Sequence, residues 1–250
     1  YGFRLFEHLR RLLQSAKILD LHHNFSIDDL YNNLRKTIKA NNFKQDIAIR
    51  QILFLDGFGS WSSTSPVEML IAPIKKQRAY NDHRNMGINC KISSWERIND
   101  NSLPPRIKTG ANYINSRFSQ LEVSKSQYDY CIILNKQGFV SEGPGSCLVV
   151  VKDNKLICPD ITSSILESIT LNSILEIAQK ELKLEVIRRN VCRTELYTAD
   201  ELFFCGTAVE IIPAISVDNF DIGNKVIGSI TSKLKNYFFD IVRSKKSKYN

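Results

Sequence analysis

Apolar residues recur every three or four positions at the start of the chain, where Phe6, Leu9, Leu12, Leu13, Ala16 and Leu19 share one helical face. The same spacing returns in Ile27, Leu30, Leu34 and Ile38, directly after Ser26, a hydroxyl residue suited to cap a helix N-terminus. Two opening helices are therefore predicted. The period then changes. Residues 46–55 (DIAIRQILFL) and 67–74 are β-rich runs around the turn-forming stretch DGFGSWSSTSP, which predicts two strands joined by a loop. The polar run KKQRAYNDHR, residues 75–84, predicts a linker between a small α/β lobe, residues 1–74, and a larger lobe, residues 85–250.

In the larger lobe the pattern predicts a strand at 89–93, a loop through Pro104 and Pro105, and a helix over 112–125. Short β runs follow at 130–135, 138–141 and 147–152, split by NKQG, EGPG and KDNK turns. A helix over 169–182, strands at 185–191, 201–205 and 211–217, and an amphipathic helix over 227–242 complete a mixed α/β (α+β) chain without internal repeats. The opening YGFRLFEHLRRLLQSAKILD is amphipathic from Tyr1 onward. It lacks the form of a secretory leader and reads as a domain entered partway, with a further N-terminal segment expected.

Composition narrows the class. With 43% hydrophobic and 24% charged residues in 250, disordered and collagen-like chains are excluded. No apolar run approaches the roughly 18 residues that span a bilayer, so no membrane partner is expected. The six cysteines, at 90, 131, 147, 158, 192 and 205, form no CxxC pair, which argues against a zinc cage and for reduced thiols in the cytoplasm. The net charge of +8 raises nucleic acid as a partner. Most basic residues are scattered, however, and the one cluster, RSKKSK at 243–248, reads as a solvated tail, so none is expected.

Chemistry concentrates at helix starts and Gly-containing turns. Ser168-Ile169-Thr170 precedes a helical pattern, and Gly206-Thr207-Ala208 follows the apolar LFFC run. Unpaired N–H groups and hydroxyls at such places attract oxyanions, and the two would form a phosphate cup if they met in space. Lys108 in IKTGANY leaves a proline-containing loop; in an apolar-walled pocket a lysine loses its charge readily and becomes a nucleophile toward an aldehyde. Glu142 in SEGPG ends a strand at a turn, where a carboxylate beside a pyridine nitrogen would hold a proton there.

The blocks FRLFEHLRRLLQSAKIL, KTGANY, FVSEGPG, SILESIT, LYTADELFFCGTAVEIIP and YFFDIVR occur in the order and spacing of the class IV (fold type IV) pyridoxal-phosphate aminotransferases. The chain most resembles the branched-chain amino acid aminotransferases. That resemblance implies a two-lobed fold with a β-barrel-like larger lobe, and transfer of the amino group of Leu, Ile or Val to 2-oxoglutarate. It implies that Lys108 holds the cofactor and moves the substrate proton, that Glu142 pairs with the pyridine nitrogen, and that Tyr113 meets the phenolate oxygen. Arg11, Ile169, Thr170, Gly206 and Thr207 would hold the phosphate, Leu166 would pack on the ring, and Gly145 would let backbone approach it. Arg50, Thr207 and Ala208 would meet the substrate. Small-molecule amino and 2-oxo acids are the expected partners, in a homodimer or higher homo-oligomer. A D-amino acid aminotransferase or aminodeoxychorismate lyase of the same fold is the nearest alternative, and a non-catalytic relative with an anion-binding surface the next. Three positions depart from the family pattern: SITL stands for the common GITR, Cys147 for a frequent asparagine, and Ala48 for a substrate-side tyrosine.

Overall fold

The computed structural model describes residues 2–76 and 86–243. The chain divides into two compact units, Gly2–Arg78 and Ala79–Asn250. The 75–84 stretch read as a linker lies, from residue 77 on, outside the described residues, as does the RSKKSK cluster beyond Arg243.

In the first unit α1 (Leu5–Ile18) and α2 (Ile27–Asn41) pack on one another and on an antiparallel ribbon of β1 (Ile47–Leu55) and β2 (Val67–Lys75). Ser26 caps α2 as its position suggests: its hydroxyl accepts the Asp29 N–H at 3.1 Å, and the Asp29 carboxylate accepts the Ser26 N–H at 2.8 Å. Leu9, Ala16, Leu30, Leu53 and Val67 form the core. Side chains alternate along each strand, so Leu53 and Gln51 face the helices while Arg50, Ile52 and Phe54 lie on the opposite face with their cross-strand partners Ala72, Leu70 and Glu68.

The second unit is built on nine strands. β3 (Ile88–Glu96) and β4 (Tyr130–Leu134) are parallel neighbours flanked by α3 (Asn112–Ser124). β5 (Val140–Glu142), β6 (Cys147–Lys152) and β7 (Lys155–Cys158) follow as antiparallel strands, and α4 (Ile169–Glu181) leads to β8 (Glu185–Arg188), parallel to β7. After the short α5 (Arg193–Tyr197) come β9 (Glu201–Gly206), β10 (Glu210–Val217), β11 (Phe220–Asp221) and the closing α6 (Ser229–Val242). Six strands close on themselves: β10 pairs with β3, then β4, β5, β6 and β9 follow in turn, and β9 returns to β10. This is the barrel-like sheet the resemblance implied, and it leaves those six strands without a free edge.

Ile92, Ile132, Leu148, Phe204 and Ile212 belong to the second unit's main core. α6 is positioned by Glu201, whose carboxylate accepts the Ile230 and Thr231 N–H groups at 2.9 and 2.7 Å. β7 and α5 were not foreseen. β7 follows the KDNK turn immediately and has only four residues, three of them buried, so no alternation marks it. α5 is a five-residue helix, too short for a period to show. The predicted strand at 138–141 starts two residues late, because Asn135 accepts the Gln137 and Phe139 N–H groups and folds that segment into a turn. Among the described residues no helix is long and apolar enough to cross a membrane, and no group of three His, Cys, Asp or Glu side chains is placed to hold a metal.

Candidate active site

Lys108 lies between β3 and α3 on a segment that Asn112, the first residue of α3, staples down. The Asn112 amide donates to the Ile107 and Pro104 carbonyls at 2.8 and 3.1 Å. Ile107 is buried, so the chain is anchored there and Lys108 projects outward. Its Nζ donates to the hydroxyl of Tyr113, the second residue of α3, at 2.9 Å. Lys108 is exposed, so the apolar-walled pocket that would strip its charge is not formed around it by this unit's described residues.

Glu142 is the last residue of β5 and is 4% exposed. Its Oε1 is 2.6 Å from Nη2 of Arg97, itself 6% exposed. Its Oε2 accepts the Leu166 N–H at 3.3 Å and lies 3.9 Å from the Cys147 thiol. Burial pushes the Glu142 carboxyl above the ordinary range, opposed by the charge of Arg97, the Leu166 N–H and the charge of Lys108. The strand ends in a tight turn in which the Gly143 N–H donates to the Ser146 carbonyl at 2.8 Å. A Cβ on Gly143 would lie 2.8 Å from the Tyr130 ring and 3.0 Å from Phe204, so only glycine lets the turn sit on this edge-to-face pair.

The two oxyanion-attracting segments meet. Thr170, in the first turn of α4, has its hydroxyl 3.2 Å from that of Thr207, just past β9. Ser168 is the helix cap, accepting the Leu171 N–H at 3.2 Å, which leaves the Ile169 and Thr170 amides ahead of it in the first turn. A Cβ on Gly206 would touch the Gly145 carbonyl oxygen at 3.5 Å, and one on Gly145 would touch the Tyr113 ring at 4.0 Å. Lys108 and Tyr113 thus form one hydrogen-bonded pair and Thr170 and Thr207 another, the glycines at 145 and 206 lie next to each other with Gly145 close to the Tyr113 ring, and Ala208 is exposed on the turn after Thr207.

Arg11 and Arg50 belong to the other unit. Arg11 is half-buried on α1, and Arg50 is exposed on the helix-free face of β1. Arg97 was missed altogether. It follows the polar, amphipathic end of β3 in SSWERIND, where a charged residue looks like any solvated strand end, and nothing local signals that it turns inward.

The profile of the family described as amino-transferase class IV matches residues 1–217. The chain belongs to this family. It is 37% identical over 243 residues to a probable branched-chain-amino-acid aminotransferase of Aquifex aeolicus, covering 97% of this chain and 78% of that one. It is 36% identical over 244 residues to the branched-chain-amino-acid aminotransferase of Escherichia coli strain K12, covering 96% and 78%. In structure it is similar to the holo, PLP-form branched-chain amino acid aminotransferase of Thermobaculum terrenum, with a TM-score of 0.94 at 37% identity, covering 99% of this chain and 80% of that one. All the residues joined in the site above fall within the class IV aminotransferase match.

Proposed function

We infer that this class IV aminotransferase transfers the amino group of L-leucine, L-isoleucine or L-valine to 2-oxoglutarate, giving branched 2-oxo acids and L-glutamate, with pyridoxal phosphate as cofactor. The observation that carries the reading is that one unit holds a lysine amine hydrogen-bonded to a phenol, a buried carboxylate at the end of β5, and two hydroxyls 3.2 Å apart at the start of α4. These groups fit the cofactor: Thr170 and Thr207 converge at the start of α4, where a phosphate is favoured, and the glycines at 145 and 206 leave its flank without side chains. Pyridoxal phosphate supplies an aldehyde to carry the amino group and an electron-withdrawing ring.

The chain's own residues do the rest. Lys108 Nζ takes the proton from the substrate Cα and returns it in the reverse half, and the Tyr113 hydroxyl at 2.9 Å orients that amine. Glu142 holds a negative charge where the ring nitrogen needs a proton. Thr170, Thr207, Gly206 and the first amides of α4 hold the phosphate, and Leu166 and Gly145 border the ring. The Thr207 and Ala208 amides meet the substrate carboxylate. Burial of an aliphatic side chain is worth about 0.8 kcal/mol per CH₂, so the three branched substrates are expected to be turned over at similar rates.

We assign the enzyme to the cytoplasm on cysteines that form no CxxC pair, and to a homodimer or higher homo-oligomer on the outer face of α3. There Ile114, Phe118 and Leu121 are 39–55% exposed at helical spacing, and Trp95 stacks on Phe118 at 4.9 Å. The experiment is an absorbance titration of the cofactor-loaded protein with L-leucine, beside Lys108→Ala. A visible band present in the parent, shifted by leucine and absent from the variant supports the reading. Turnover of D-alanine without L-leucine overturns the substrate assignment.

A further inference from the structure

We propose that Arg97 is a positioning residue for this reaction, holding Glu142 as a carboxylate whose free face keeps a proton on the cofactor's ring nitrogen. The proposal rests on the functional reading above.

Arg97 is gripped on three sides. Its backbone N–H donates to the Leu134 carbonyl at 2.8 Å, extending the pairing of β3 with β4. Its Nη1 reaches the Ser116 hydroxyl at 3.3 Å and the Asn115 amide oxygen at 3.4 Å, both on α3. Asn115 in turn donates to the Glu96 carbonyl at 2.8 Å, which fixes the chain on either side of the arginine. Its Nη2 lies 2.6 Å from Glu142 Oε1. Arg97 therefore ties the helix that carries Tyr113 to the strand that carries Glu142.

The electrostatics give the tie a function. A carboxyl shielded from water prefers to be neutral, and burial does raise this one. The guanidinium is the principal charge acting against that preference, and removing it would leave a buried acid with every reason to keep its proton. A neutral acid can share its proton with a base but cannot balance the charge of a protonated one. Conversely, a proton passing from this carboxyl to a base on its far side moves positive charge away from the guanidinium behind it. The geometry therefore favours the proton on the base. The carboxylate has about four acceptor sites, and its contacts with Arg97, the Leu166 N–H and the Cys147 thiol leave room for one more partner.

The test compares Arg97→Met, Arg97→Lys, Glu142→Gln and the double variant Arg97→Met/Glu142→Gln. Arg97→Met is expected to lower kcat for L-leucine by about 10²-fold with KM little changed, the scale of losing one preorganised electrostatic group. Arg97→Lys is expected to regain about tenfold of that. The double variant is expected to match Glu142→Gln within roughly twofold, because Arg97 acts through Glu142. Effects that multiply, or an Arg97→Met enzyme with parental kcat, overturn the proposal.

A binding readout separates this from a structural role. The apoprotein is titrated with pyridoxal phosphate and with its deaza analogue, in which the ring nitrogen is C–H. The parent is expected to prefer the nitrogen-containing ring, Arg97→Met to lose the preference and Arg97→Lys to keep part of it; a preference retained in Arg97→Met overturns the proposal. If Arg97→Met does not fold, Arg97→Lys decides: it is expected to lose about tenfold in kcat and part of the ring-nitrogen preference, and parental values for both overturn the proposal. Failure of the parent to bind pyridoxal phosphate or to turn over leucine would instead remove the functional reading itself.

Discussion

In the larger unit Ile132, Leu148 and Phe204 are fully shielded from water within a closed circuit of strands, and the cross-strand pair Leu148 and Phe204 is backed by sheet on either side. The smaller unit also buries Leu30 and Leu34, yet the helix-free face of its ribbon leaves Ile52, Phe54, Leu70 and Ile74 36–49% exposed. One unit surrounds its core; the other covers one side of a two-stranded ribbon. The groups given roles in the proposed reaction, Lys108, Tyr113, Glu142, Thr170 and Thr207, all stand on the closed unit, where close packing and paired strands hold side chains in place. The open face of the ribbon carries Arg50, a long side chain exposed to solvent.

The comparison breaks most sharply at Lys108. Lys108→Ala is expected to lower leucine turnover by at least about 10³-fold, since both proton transfers lose their base, and stopped-flow or steady-state assay checks it. Next comes the core. Leu148→Ala should cost about 2–5 kcal/mol in denaturant unfolding, whereas Leu70→Ala on the open ribbon face should stay within about 0.5 kcal/mol. Equal costs would mean that the ribbon face is covered in solution.

The smallest effect concerns acid. Hydrogen bonds from Arg189 at 2.6 and 3.0 Å hold the Glu195 carboxyl below the usual range, against the opposing cost of burial and with help from the Cys192 N–H at 2.8 Å. A depressed carboxyl stabilises the fold fully above its unfolded value of about 4.3, and that contribution is lost as pH falls through the lower folded value. Glu195→Gln should therefore flatten the fall of melting temperature on acidification. The change should be small, because the pair is partly open to water.

Much of this architecture was legible in the chain. The α1 and α2 periodicity, the Ser26 cap and the two ribbon strands emerged from local spacing because each depends on neighbours within a few residues. The longer elements of the second unit did so too, and the blocks around Lys108, Glu142 and Thr207 carried the resemblance to class IV aminotransferases. β7 stayed hidden because a strand buried on both faces has no alternation to display.

What the sequence alone determined is thus the family, the fold class and most of the elements that bear the candidate groups. Only the tertiary structure decided that the Thr170 and Thr207 hydroxyls stand 3.2 Å apart and that Arg97 reaches Glu142 at 2.6 Å. Thirty-seven residues separate the first pair, and between the second lie α3 and β4. Periodicity records which face of an element is apolar, but the meeting of distant side chains depends on strand register and sheet closure, which are settled only when the whole core packs.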